Sequence, residues 1–385
     1  MNILKLAAIM VGTLFFLTVT VHAMGRAQVE TRQTDKGVEV RLETLASGLN
    51  HPWGMAFLPD ARLLVTERNT GQLYILNTAQ TLSPPLGGVP EVRAQGQGGL
   101  MDVALDPDFE TNSRVYLSYA KPGDSGTATT ALGRGTLAEG RIENFQDIFV
   151  QEPYTGGSNH FGNRIAFSPD GTFLFLGLGE RFQFDPAQDL SNHLGTVVRI
   201  HPDGSVPDDN PFTDREDARD EIWSYGHRNI EAMAFQPETD ALWVGEMGPR
   251  GGDELNRIEK GANYGWPLVS WGEHYNGRDI PDPPTRPEFK DAVRHWTPVI
   301  SPCGMVFYQG DMFPGWKGNA LIGGLTHKEV VILSFDGTRV TDEDRLPMPA
   351  RIRDVDEAPD GSVYVLTDQD DGRVIRITPA GKNSE

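Results

Sequence analysis

His160 stands in Gly156-Gly-Ser-Asn-His-Phe-Gly162, a glycine-rich loop directly before an alternating apolar run. Such a loop lets the backbone approach a ligand closely and presents an imidazole at the end of a strand, where it can accept a proton. Glu180, in Leu176-Gly-Leu-Gly-Glu-Arg181 at the far end of the same hairpin, can return to orient that ring. A histidine alone in a glycine loop is more often a plain hydrogen-bonding residue. The run Trp223-Ser-Tyr-Gly-His-Arg-Asn229 sets three donors in a row, His227, Arg228 and Asn229. Arginine is the side chain best suited to hold a carboxylate or a developing oxyanion, although a surface salt bridge explains it equally well in isolation.

Gly245-Glu-Met-Gly-Pro-Arg-Gly-Gly-Asp-Glu-Leu-Asn-Arg257 is followed by Gly261-Ala-Asn-Tyr-Gly-Trp-Pro267. Carboxylates among Gly and Pro supply both side-chain and backbone carbonyl oxygens, the ligands a hard cation such as calcium prefers. The spacing is not that of an EF-hand, and Asp253 with Glu254 also reads as a solvated charge pair. In Arg351-Ile-Arg-Asp354 the two arginines share one side of a strand, since alternate residues share a face. Adjacent guanidinium groups repel unless an anion lies between them, so a basic pocket for an anionic ligand is expected there.

These residues need elements to position them, and one pattern recurs: an apolar stretch, a Pro-Asp type turn, then an alternating strand. It runs through Met55–Asp60, Val103–Asp108, Ile165–Gly171 and Met233–Pro237, with weaker copies at Met305–Tyr308 and Val355–Gly361. Six such hairpins without sustained helical periodicity predict an all-β, six-bladed β-propeller rather than a β-sandwich. Lys121–Gly140, Phe182–Arg219 and Gly272–Arg294 read as long irregular stretches, which in a compact domain tend to be functional.

Composition agrees with this. The 385 residues include 43 Gly and 27 Pro, and Asp plus Glu number 54 against 34 Lys plus Arg, a net charge of −20. Nucleic acid and anionic membrane both reward clustered positive charge and are not expected partners. Residues 1–23 read as a cleaved secretory signal: Lys5, an apolar stretch from Leu6 to Val21, and Val21-His22-Ala23 at the cleavage position. Residues 24–385 are then one propeller domain, periplasmic and without stable membrane insertion. Cys303 is the only cysteine, so no intrachain disulfide forms.

Taken in order, these segments resemble the soluble, pyrroloquinoline quinone (PQQ)-dependent aldose sugar dehydrogenases. The likeness runs over the mature chain through Gly96–Leu100, Asn159–Asn163, Gly226–Asn229, Gly248-Pro249, Asp253–Leu255, Asn263–Pro267, Trp296–Pro298 and Arg351–Asp354. It implies that His160 takes the hydroxyl proton at sugar carbon 1 while hydride passes to the quinone, with Glu180 orienting His160. Arg228 and Asn229 would face the quinone, Gln97 and Trp296 match positions contacting cofactor or substrate, and Arg351 and Arg353 match the pair holding the cofactor from the opposite side. Gly248 and Pro249 resemble, through their carbonyls, the ligands of a catalytic calcium, and Glu254 with the Tyr264 carbonyl those of a structural one. The likeness departs at Leu325-Thr-His-Lys328, where Thr326 stands in place of a lysine near the cofactor carboxylates. The implied activity is oxidation of aldoses to lactones, with a periplasmic electron acceptor of unknown identity. A calcium-dependent lactonase or esterase and a non-catalytic glycan-binding propeller are the competing readings. A hydrolase has no use for Arg228, Arg351 and Arg353 converging on one anion.

Overall fold

A computed structural model describes residues 29–284 and 286–381; the expected signal segment, residues 1–23, lies outside them. Among the described residues there are six antiparallel sheets. Blade 1 comprises Pro52–Phe57, Leu63–Glu67 and Gln72–Leu76; blade 2, Leu100–Leu105, Arg114–Pro122, Ala128–Ala138 and Arg141–Val150. Blade 3 runs from Gly162–Phe167 to Ile222–Tyr225, blade 4 from Ile230–Gln236 to Arg294–Trp296, and blade 5 from Pro302–Phe307 to Arg339–Pro347. Blade 6 takes Ile352–Glu357, Val363–Thr367 and Gly372–Pro379 from one end of the chain and Glu39–Leu49 from the other, with Val29–Gln33 on its edge. The ladder from Val40 opposite Pro379 to Leu49 opposite Gly372 closes the ring.

The six recurring hairpins are the first two strands of the six blades. Their anchors are in equivalent register: Met55 opposite Val65, Val103 opposite Leu117, Ile165 opposite Leu176, Met233 opposite Val244, Met305 opposite Ile322 and Val355 opposite Val365. Both faces of each sheet are covered by neighbours, so the apolar core is divided between the blades. Leu64 and Leu73 meet Val115 and Leu117 between blades 1 and 2, for example, and Trp243 and Leu255 meet Ile322 and Val331 between blades 4 and 5.

Each first strand carries a register shift just before its anchor, at Pro52/Met55, Leu100/Val103, Gly162/Ile165, Ile230/Ala232, Cys303/Met305 and Ile352/Asp354. A bulge re-aims a side chain out of the pleat. The bulges in blades 2, 3, 4 and 6 carry Asp102, Arg164, Glu231 and Arg353, all buried and joined into one network.

One expectation is corrected. Lys121–Gly140 is mostly strand: it holds the last two residues of Arg114–Pro122, a short turn, and the whole of Ala128–Ala138, which pairs back on Arg114–Pro122. Its small residues concealed it, yet close approach demands them: a Cβ on Gly133 would meet the Phe145 ring at 2.4 Å. Phe182–Arg219 likewise contains the strand Thr196–Ile200, while the described residues of 272–293 form no strand or helix.

Candidate active site

In an antiparallel blade the entry to the first strand and the turn between the second and third lie at the same end. Gln97, His160, Arg228 and Arg351 precede first strands, whereas Glu180, Gly248, Pro249 and Thr326 lie in second-to-third turns. Topology alone therefore gathers residues from five blades onto one face.

His160 and Glu180 are brought together. The imidazole Nδ1 lies 2.6 Å from Glu180 Oε1, with the carboxylate fully buried and the histidine side chain 6% exposed. A carboxylate partner puts the ring proton on Nδ1 and leaves the Nε2 lone pair free. Burial lowers the His160 pKa below the ordinary histidine value; the Glu180 hydrogen bond opposes this and Arg228 adds to it. The ring is thus a neutral base at neutral pH. Glu180 Oε2 accepts from the Phe184 amide at 2.7 Å, and Gln97 Oε1 accepts from the His160 amide at 2.6 Å. Gly179 lets the two turns meet, because a Cβ there would fall 2.1 Å from the His160 carbonyl oxygen.

Left-handed backbone is concentrated here: His160, Asn163, Arg181, Phe182 and Phe184 have φ of 51°, 95°, 58°, 61° and 67°. Non-glycine residues hold such angles only where surrounding contacts fix them. Arg181 supplies several. It lies over the Phe161 ring at 3.4 Å and donates to the carbonyls of Asn159 and Gly157, bracing the loop that ends in His160. Burial pulls its pKa down to about 10, with Glu180 opposing and Arg93 contributing.

Arg228 is buried in the neighbouring blade. Its Nη1 donates to the carbonyls of Met247 (2.8 Å) and Gly248 (2.6 Å), its Nη2 donates to Tyr275 Oη (3.1 Å), and Nε has no partner. The expected metal donor at Gly248 is therefore engaged by a cation of the chain itself. Asn229 and His227 are committed inward. Asn229 receives the Gly162 amide and donates to Glu231, while His227 lies between Ser224 and Glu246 and stacks on Tyr264.

Four further sequence candidates have partners that spacing did not reveal. The anion between Arg351 and Arg353 is Asp368 of the same blade, 3.6 Å from the first and 2.7 Å from the second. Arg353 also pairs with Glu231 and is buried, whereas Arg351 is exposed. Their proximity therefore does not by itself require an external anion. Trp296 is packed between blades 4 and 5 with its indole N–H on Glu343 at 3.1 Å. Thr326, in an exposed turn with His327 and Lys328, shares a 2.6 Å hydrogen bond with Ser301.

Beside Arg228 and Pro249 opens a cleft of about 420 Å³, lined by Phe182, Phe184, Leu268, His274 and Tyr275. Sequence reading missed these residues because aromatics scattered over two loops have no period. Their only signal was loop length. Among the described residues, no cluster of three or more His, Cys, Asp or Glu side chains is arranged to hold a metal. The carbonyl-based sets proposed from sequence lie outside that test. Glu254 nonetheless has its pKa pushed up to about 8, by burial first and then by Glu246, and the nearby Asn256 Oδ1 has no partner. Burial and Glu246 thus make an ionised Glu254 costly, a cost that a bound cation would offset.

A neutral, carboxylate-oriented imidazole near a buried guanidinium, at the mouth of a six-bladed ring, is the equipment of a propeller enzyme. The chain belongs to the glucose/sorbosone dehydrogenase family, which matches it over residues 49–376. It is 44% identical over 348 residues to aldose sugar dehydrogenase YliI of Escherichia coli K12, covering 88% of this chain and 93% of that protein. The apo crystal structure of the soluble E. coli aldose sugar dehydrogenase superposes with a TM-score of 0.84 at 44% identity, covering 88% of this chain and 99% of that one. The PQQ-bound aldose sugar dehydrogenase of Streptomyces coelicolor gives 0.72 at 29% identity, covering 88% and 98%. No helix among the described residues is long and apolar enough to cross a membrane.

Proposed function

We propose that the protein oxidises aldose sugars at carbon 1 to lactones, with PQQ as electron acceptor, calcium as its metal and His160 as base. The observation that carries this reading is the buried His160–Glu180 pair at 2.6 Å. Family membership and the PQQ-bound relative support the cofactor.

The chain suits such a group in two respects: Arg228 has an unpartnered buried Nε, and the mouth of the ring offers an aromatic-walled cleft. When bound, the quinone supplies the electrophile that takes the C1 hydride. His160 Nε2 removes the C1 hydroxyl proton, and Glu180 stabilises the imidazolium that results. Arg228 is placed to hold oxygen that gains charge, releasing the Met247 and Gly248 carbonyls as it turns. Gly248 and Pro249 would then present carbonyl oxygens to calcium, and Glu254 with the Tyr264 carbonyl would hold a second calcium, whose charge would offset the cost of ionising the buried Glu254. In this reading Gln97 fixes the His160 backbone and Asn229 fixes Gly162, so both support the base rather than touch the ligand.

Protein loaded with PQQ and calcium should show the absorbance change of quinone reduction when aldose is added. His160→Gln should bind PQQ yet leave it oxidised. Reduction at the wild-type rate in that variant would remove His160 from the chemistry, and no reduction in the wild type would remove the activity.

A further inference from the structure

We propose that His227 and Glu246 are positioning residues for the reaction: together they hold the main chain of Arg228 against the turn that carries Glu180, and so fix the guanidinium relative to the base. This rests on the sugar-oxidising reading above.

Ser224 Oγ lies 2.9 Å from His227 Nε2, and His227 Nδ1 lies 2.9 Å from Glu246 Oε1. A serine, a histidine and a carboxylate in that order have the shape of a nucleophilic triad. Burial excludes that use, because Ser224 and His227 have no exposed surface and no substrate reaches the hydroxyl. The imidazole is committed on both edges instead. Its Nδ1–H donates to Glu246, its Nε2 shares a hydrogen bond with the Ser224 hydroxyl, and its face lies on the Tyr264 ring, 24° from parallel with centroids at 4.6 Å.

The other oxygen of the carboxylate gives the assembly its role. Glu246 Oε2 accepts from the Arg228 amide at 2.7 Å, and the Arg228 carbonyl accepts from the Glu180 amide at 3.0 Å. Both main-chain polar groups of Arg228 are thus used, and the residue that carries the guanidinium is tied directly to the residue that orients His160. Glu246 cannot turn away, since Oε1 receives Asn256 Nδ2 at 2.9 Å as well as His227. His227 is fixed in turn: its amide donates to the Gly195 carbonyl at 3.0 Å, and a Cβ on Gly195 would fall 2.2 Å from the His227 carbonyl oxygen. Misplacing a group that acts in the chemical step by about 1 Å can cost on the order of 10²-fold in rate, so a chain of contacts that ends on the Arg228 amide bears on turnover.

Two variants separate positioning from packing. His227→Asn keeps an N–H where Nδ1 stands but has no ring to lay on Tyr264, whereas His227→Phe keeps the ring and has no donor for Glu246. Loaded with PQQ and calcium, the Phe variant should lose about 10- to 100-fold in kcat with KM for the aldose within about 3-fold, and the Asn variant should stay within about 3-fold of wild type in both. In cofactor-free protein, hydrogen exchange of the peptide containing Glu180 should quicken by about 10-fold or more in the Phe variant and hold in the Asn variant, because the acceptor of the Glu180 amide is the Arg228 carbonyl. Equal effects of the two substitutions, or an impaired Asn variant beside an intact Phe variant, overturn the assignment. Should the Phe variant not fold, the Asn variant still carries the test, since exchange at Glu180 or kcat changed there by more than about 10-fold overturns it too. Exchange needs no turnover and reads the positioning even if the wild type oxidises no aldose, an outcome that would sink the catalytic reading instead.

Discussion

At the residue scale, the base is defined by what surrounds it. Burial and Arg228 favour the neutral imidazole and Glu180 favours the charged one. Because the protonated form cannot accept a proton, activity should fall as pH drops through a value below the usual histidine pKa of about 6.5. Glu180→Gln removes the main group opposing burial, so the acid limb should move to still lower pH. Loss of tautomer control should lower kcat by roughly 10²- to 10⁴-fold, measured as a pH–rate profile of the reconstituted enzyme. An acid limb that moved upward would show that Glu180 does not set the His160 charge. This pair was legible in the sequence because both members sit in glycine-marked turns flanking one hairpin. The partner of Arg353 was not: Asp368 lies on another turn, and no spacing rule links the two.

At the scale of elements, the hairpins were readable because Pro-Asp turns and apolar anchors repeat, whereas the small-residue strands of blade 2 resembled loop. The turn between the second and third strands of blade 6 shows what a single carboxylate does for several elements. Asp368 pairs with Arg353 at the axis, with His51 at 2.5 Å and more distantly with Arg68. Burial pushes its pKa up, but Arg353, the His51 hydrogen bond and Arg68 outweigh that and hold it well below the carboxylate range. A depressed native pKa contributes stability that is full above the unfolded value of about 3.9 and is lost as pH falls through the native one. Asp368→Asn leaves Arg353 with a charge partner fewer in a buried site, a change worth about 3–5 kcal/mol where a buried pair is broken. Urea unfolding should show that deficit constant from about pH 5 to 8 and shrinking in stronger acid. A deficit under about 1 kcal/mol at neutral pH would mean that Glu231 alone satisfies Arg353.

For the whole molecule, the ring count followed from six recurrences in order, but its closure did not. Glu39–Leu49 has the alternation of any strand, and nothing in it names Gly372–Pro379 as its neighbour. That pairing joins residues more than 300 positions apart, and all six blades depend on it for lateral support. Non-local contacts of this kind form late. A growing chain therefore cannot finish folding while its last strand is still inside the ribosome: blade 6 lacks its partner and blade 1 has one bare apolar face. Nascent chains arrested with Gly372–Pro379 still in the exit tunnel should be cut rapidly by protease, and those carrying a linker long enough to expose that strand should resist. Equal resistance in both would mean that five blades stand without the sixth. Closure of the ring thus waits on one strand, Gly372–Pro379, and until it pairs the apolar faces it covers stay open to non-native contacts.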